Sequence, residues 1–124
     1  MKALLLVAHG SRRKQSNDEV IHLAEELKNS CNGQYLIVRP AFLELADTMI
    51  PDGIAACVSD GATSITVLPY FLNSGRHVVE DIPQIISACK TQHPSTTINL
   101  ASHLGAADLM LDLIIAHATS AKST

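Results

Sequence analysis

Tryptophan is absent from the 124 residues and aromatic side chains make up only 3% of them, so the chain lacks the exposed rings on which single-stranded nucleic acid stacks. An excess of positive charge is missing too. Nine Lys and Arg against twelve Asp and Glu leave a formal net charge of -3, which offers neither nucleic acid nor an anionic membrane a global electrostatic attraction. No apolar stretch approaches the roughly 20 residues of a membrane span. The run Ala3 to Ala8 is too short for a signal core followed by a cleavage site. Cysteine is sparse as well: Cys31, Cys57 and Cys89 are odd in number, widely spaced and without a C-x-x-C pair. That usage argues against a zinc-thiolate site and fits a reducing compartment, with the three thiols as small buried hydrophobes. A cytoplasmic protein without nucleic-acid or membrane partners is the expectation.

What is present is an ordinary globular composition, 47% hydrophobic and 17% charged, in one expected domain spanning residues 1–124. A chain of this length buries about two-thirds of its unfolded surface. Met1 to Ala8 is a continuous apolar run, the mark of a strand covered on both faces. Ser16-Asn17-Asp18-Glu19 has the form of a capping box, and Val20, Leu23, Ala24 and Leu27 follow at helical spacing until Asn32-Gly33 supplies a left-handed stop. The unit then recurs: "YLIVRPAF" before a helix over 48–60 closed by Gly61, "SITVLPYF" before a helix over 78–92, and "TTINLAS" before a helix over 106–118. Short apolar strands alternating with amphipathic helices predict right-handed crossovers and a parallel sheet between helical layers. The predicted class is therefore α/β, a three-layer sandwich around four parallel strands.

In the second helix, Pro51 is tolerable only in the first turn, and Gly53 costs about 1 kcal/mol relative to Ala. The last helix carries Leu109, Met110, Leu111, Leu113, Ile114 and Ile115, too wide an apolar band for one face on a sheet. Either part of it meets another subunit or the helix is deeply buried.

Ligands of open parallel sheets bind outside the carboxyl ends of the strands. Here the first strand exits into His9-Gly10-Ser11-Arg12, the second into Glu44, the third into Asn73-Ser74-Gly75-Arg76-His77 and the fourth into Ser102-His103. Gly10 has no side chain to keep a ligand from the backbone, and Gly75 opens the loop before His77. Two neutral imidazoles meeting across this edge could share a divalent metal. Glu44, between apolar neighbours, suits proton transfer or completion of a metal site. Arg12 and Arg76 can grip carboxylates in bidentate fashion, and Ser11 joins them as a candidate substrate contact. His103 is either a third member or the start of a turn; His22, His93 and His117 lie in or just after helices and carry no hypothesis.

"LLVAHGSR", "PAFLELAD" and "VLPYFLNSGRHVVEDIP" together resemble the short CbiX-type sirohydrochlorin chelatases of the class II tetrapyrrole chelatases, in the family's order and over most of the chain. "LADTMIPDG" departs from the family's usual proline-serine helix start, and "ASHLGAAD" has His103 where a proline often precedes Leu-Gly. The resemblance implies a chelatase-like, flavodoxin-like half-unit that inserts Co²⁺, or in relatives Fe²⁺ or Ni²⁺, into sirohydrochlorin for cobalamin or sirohaem synthesis. It implies two metal-binding histidines at His9 and His77, no organic cofactor, and a homodimer in place of the two fused halves of long members. Whether each histidine takes the metal or the displaced protons stays open. A non-enzymatic carrier of metal or tetrapyrrole would use the same residues. Phosphoryl transfer of the histidine-phosphatase kind wants an arginine where Ala8 stands. A flavodoxin-like nucleotide module is disfavoured by the absence of G-x-G-x-x-G, of a Walker loop and of flavin-sandwiching aromatics.

Overall fold

A computed structural model describes residues 1–122; residues 123 and 124 of the expected domain lie outside the described residues. Its strands are β1 (Lys2–Ala8), β2 (Ile37–Phe42), β3 (Ser64–Pro69) and β4 (Thr97–Leu100), and its helices α1 (Lys14–Ser30), α2 (Ile50–Ser59), α3 (Ile82–Gln92) and α4 (Leu109–Thr119). The strands form one parallel sheet in the order β2-β1-β3-β4. Leu5 of β1 stands level with Arg39 on one side and Val67 on the other. The expected α/β sheet is thus present, with β1 and β3 at its centre. Among the described residues, no helix is long and apolar enough to cross a membrane.

The chain turns one way across the sheet between β1 and β2 and the opposite way from β2 to β3 and from β3 to β4. Right-handed crossovers therefore place α1 on one face and α2 with α3 on the other. On the second face alternate strand residues, among them Ala3, Leu5, Val7, Ile65 and Val67, pack with Ile50, Ile54 and Cys57 of α2 and Ile82, Ile86 and Cys89 of α3. This is the hydrophobic core. Gly53 belongs to it: an added Cβ would lie 2.9 Å from the Ala41 side chain and 3.1 Å from Leu5 Cδ1. The residue that weakens α2 as an isolated helix is the one that lets α2 approach the sheet.

Three expectations are corrected. Helix α1 begins at Lys14, two residues before the proposed capping Ser16, whose N–H already donates to Arg13 O at 3.0 Å. The third helix is preceded by a separate π-helical turn, His77–Asp81. The last helix has no buried residue at all, which removes the deeply buried alternative. Among the described residues it packs chiefly on the short 3₁₀ turn Leu104–Ala106 rather than along β3 or β4. Leu109 is 75% exposed and Ile115 64%.

Candidate active site

The exits of β2, β1 and β3 lie side by side because the strands do. Val7 is level with Pro69 of β3, and Ala8 with Phe42 of β2, so the residues just beyond them meet at one edge. His9 follows β1 and His77 begins the π-turn after β3. Their ring centroids are 4.6 Å apart with the planes tilted by 36°. Glu44 arrives from the loop after β2, with its Oε1 3.2 Å from His9 Nε2. Both imidazoles and the carboxylate remain partly open to solvent, as groups that must exchange a ligand or a proton have to be.

The backbone under this cluster is tightly determined. Leu43 N–H donates to Ala8 O at 3.0 Å and Glu44 N–H to His9 O at 3.1 Å, extending the β1–β2 ladder beyond the strands. Gly10 has φ +94°, and a Cβ there would fall 1.7 Å from the Glu44 carbonyl oxygen. The expectation that Gly10 makes room for a ligand is therefore corrected: it makes room for the Glu44 peptide. A second tie was not expected from the sequence. Asn17, in the first turns of α1, accepts from Ser11 N–H (2.9 Å) and donates Nδ2–H to Ser11 O (2.8 Å) and Leu45 O (3.0 Å). It clamps the β1–α1 loop to the β2–α2 loop.

The other candidates surround the pair. Ser11 is half-buried, and its Oγ accepts from Arg13 N–H at 3.0 Å, leaving the hydroxyl proton for a ligand. Arg12 is exposed and shares a cleft of about 360 Å³ with Lys14 and Asp47. Arg76 is exposed with Nε 3.7 Å from Glu80 Oε2, an exposed pair of the sort worth less than about 1 kcal/mol and easily exchanged for another carboxylate. His103 follows β4, one strand further from β1. It caps the 3₁₀ turn through its backbone and, among the described residues, makes no ion pair or ring contact with the cluster.

A residue of the cluster itself also escaped the sequence reading. Asp81 Oδ2 lies 2.7 Å from His77 Nδ1, and with Leu43, Glu44, His77, Gln84 and Ile85 it lines a cleft of about 290 Å³. The signal available was a histidine and an aspartate four apart at a helix start, a spacing that brings side chains together. An ionised carboxylate has only acceptors, so the nitrogen facing it carries the proton. His77 is thus held by a hydrogen bond at Nδ1, while His9 Nε2 stands within ion-pair distance of Glu44. Among the described residues one nitrogen on each ring, Nε2 of His77 and Nδ1 of His9, is left without a carboxylate partner. Among the described residues no three His, Cys, Asp or Glu side chains gather into a resident metal centre.

The cysteines lie away from this edge. Cys57 and Cys89 are buried as expected, and burial pushes the Cys57 thiol up to about 11 and raises Cys89. Cys31 is only half-buried at the end of α1, a correction to the expectation for all three.

Comparison with known proteins gives a consistent result. A family model described as CbiX matches residues 3–121. The chloroplastic sirohydrochlorin ferrochelatase of Arabidopsis thaliana is 34% identical over 111 residues, covering 90% of this chain and 48% of that protein. The sirohydrochlorin cobaltochelatase of Methanosarcina barkeri is 30% identical over 118 residues, 90% of this chain and 89% of that protein. The sirohydrochlorin chelatase SirB from Bacillus subtilis subspecies spizizenii, solved in complex with cobalt, superposes with a TM-score of 0.82 at 30% identity, over 95% of this chain and 50% of that one. The chain spans about half the length of the first curated relatives it matches.

Proposed function

The chain belongs to the CbiX family, and from that premise we propose that it inserts a divalent metal, Co²⁺ first and Fe²⁺ or Ni²⁺ as alternatives, into sirohydrochlorin. The reaction exchanges two pyrrole N–H protons for one M²⁺ and gives the metallated macrocycle and two H⁺. The observation that carries the proposal is the pair of imidazoles, 4.6 Å apart, with a carboxylate against one of them.

Insertion asks three things of the protein. The ion must lose water, for which neutral imidazole nitrogens are suitable replacements. Two protons must leave the macrocycle, and the same imidazoles or Glu44 can take them. The macrocycle must be held over the ion, and its peripheral carboxylates suit Arg12, Arg76 and the Ser11 hydroxyl. Two imidazoles and a nearby carboxylate surround an ion less completely than the four ligands of a structural site. That suits an ion to be handed on. No organic cofactor has a step to perform.

A homodimer belongs to the same proposal. Its support is α4, whose apolar side chains stay exposed among the described residues. The cytoplasm is the proposed location, supported by three free thiols, which suit a reducing compartment.

The test mixes purified protein, sirohydrochlorin and Co²⁺, Fe²⁺ or Ni²⁺ in turn, and follows the absorption change against the uncatalysed rate. Acceleration that disappears in His9→Ala and in His77→Ala supports the proposal. Near-normal turnover in both variants sinks the site assignment. Binding without acceleration, for every metal, would make the protein a carrier.

A further inference from the structure

Asp81 is bonded to His77 and ends an unusual turn. Residues His77–Asp81 form a π-helical turn, closed where Ile82 N–H donates to the His77 carbonyl. Such wider turns are rare, occur mostly as single turns at helix boundaries or interiors, and concentrate at functional sites. This one opens the start of α3 while keeping the Asp81 carboxylate 2.7 Å from His77 Nδ1. Glu80, the neighbouring carboxylate, is occupied on the outer surface with Arg76.

We propose that Asp81 is a positioning residue that fixes His77 in the Nδ1–H tautomer and orients its Nε2 lone pair into the cleft for the metal. The proposal rests on the metal-inserting reading above and deepens it. The physical argument is that an unconstrained imidazole divides between two tautomers and several ring orientations, of which only some present a lone pair to the ion. A carboxylate accepting from Nδ1 selects one tautomer and locks the ring plane. His9 is constrained differently. Its Nε2 faces Glu44, whereas the carboxylate on His77 is Asp81. The two carboxylates therefore act on different rings and by different nitrogens.

The experiment measures Co²⁺ binding alone by titration calorimetry for the full chain and for Asp81→Ala, Asp81→Asn and His77→Ala, with thermal unfolding of each. Long-range ¹H–¹⁵N spectra report the His77 tautomer. Loss of such a partner typically weakens metal affinity about 10–100-fold. Asp81→Ala is expected to fall in that range and to mix the His77 tautomers. Asp81→Asn keeps an acceptor oxygen without its charge; it should retain the Nδ1–H tautomer, bind cobalt with an intermediate affinity, and report even if the alanine variant fails to fold. Cobalt affinity within twofold of the unmodified chain in both Asp81 variants, with the tautomer unchanged, would overturn the proposal and leave Asp81 as a helix staple. So would cobalt binding that His77→Ala does not weaken. Cobalt binding that depends on His77 and Asp81, in a protein that does not accelerate insertion, would instead remove the chelatase reading and leave this one standing.

Discussion

Replacing Gly10 by alanine should damage both the fold and the site, and the two contributions can be separated. The backbone at Gly10 has φ +94°, and holding a side-chain-bearing residue in a left-handed conformation costs roughly 1–2 kcal/mol. The added Cβ would also lie 1.7 Å from the Glu44 carbonyl oxygen and 2.8 Å from its carbon. Backbone atoms cannot rotate away, so the Glu44 peptide must shift by more than about 1 Å to reach van der Waals distance. That movement breaks the Glu44 N–H bond to His9 O and strains the neighbouring Leu43 bond to Ala8 O, worth about 0.5–1.5 kcal/mol each. The sum is a loss of about 2–5 kcal/mol, a large part of the stability of a small domain. Gly33 is the control: it has φ +77° but nothing within 4 Å of an added Cβ, so Gly33→Ala should cost the backbone strain alone, about 1–2 kcal/mol. Urea unfolding at 25 °C followed by circular dichroism measures both variants. Initial metallation rates under native conditions should fall roughly 10²-fold in Gly10→Ala, because Glu44 is displaced from His9, and stay near normal in Gly33→Ala. Equal stabilities for the two variants, with full activity in Gly10→Ala, would refute the reasoning.

Gly53→Ala should also destabilise, against its helix propensity. Alanine gains about 1 kcal/mol as a helix former, but its methyl would press on Ala41 and Leu5, and overpacking a core costs typically 1–3 kcal/mol; unfolding curves would show the sign. In the native protein Cys31 should react with iodoacetamide at pH 8 while Cys57 and Cys89 resist, as peptide mapping after a short pulse would reveal. Because the Cys57 thiol is raised from 9.0 to about 11, its protonated form favours the folded state: that contribution is fully present below pH 9 and is lost as pH rises through 11, so urea midpoints should decline across this window. The double variant Leu111→Glu, Ile115→Lys, which keeps an i, i+4 ion pair on α4 while removing its apolar strip, should sediment as a monomer if the unmodified chain sediments as a dimer; an unchanged dimer would place the interface elsewhere.

Part of the site was legible in the chain because strand exits and glycine-flanked histidines are local features. His9 and Glu44 follow apolar runs directly and His77 follows one after the polar stretch Asn73–Arg76, and the general rule for parallel sheets assigns such residues to one edge. Asp81 lies inside the helix expected over 78–92 rather than at a strand exit, so its i, i+4 spacing from His77 was passed over. The π-turn itself leaves no periodic mark. Asn17 was hidden because Ser16 and Glu19 have the spacing of a cap while the helix had already begun, and because one of the two loops that Asn17 joins, at Leu45, is 28 residues away in order. Gly10 looked like an opening for a ligand, since nothing local says that the backbone of Glu44 occupies the space.

By itself the sequence determined the alternation of strand and helix, the α/β class and which residues stand at the strand ends, because each follows from hydrophobic period and turn chemistry within a few positions. Only the tertiary structure decided that β1 lies between β2 and β3, bringing His9 beside both Glu44 and His77 and leaving His103 a strand away. It alone decided that α4 remains uncovered. Strand order and helix docking are set by contacts between segments far apart in the chain, whose energies depend on shape and register across the sheet rather than on any local pattern.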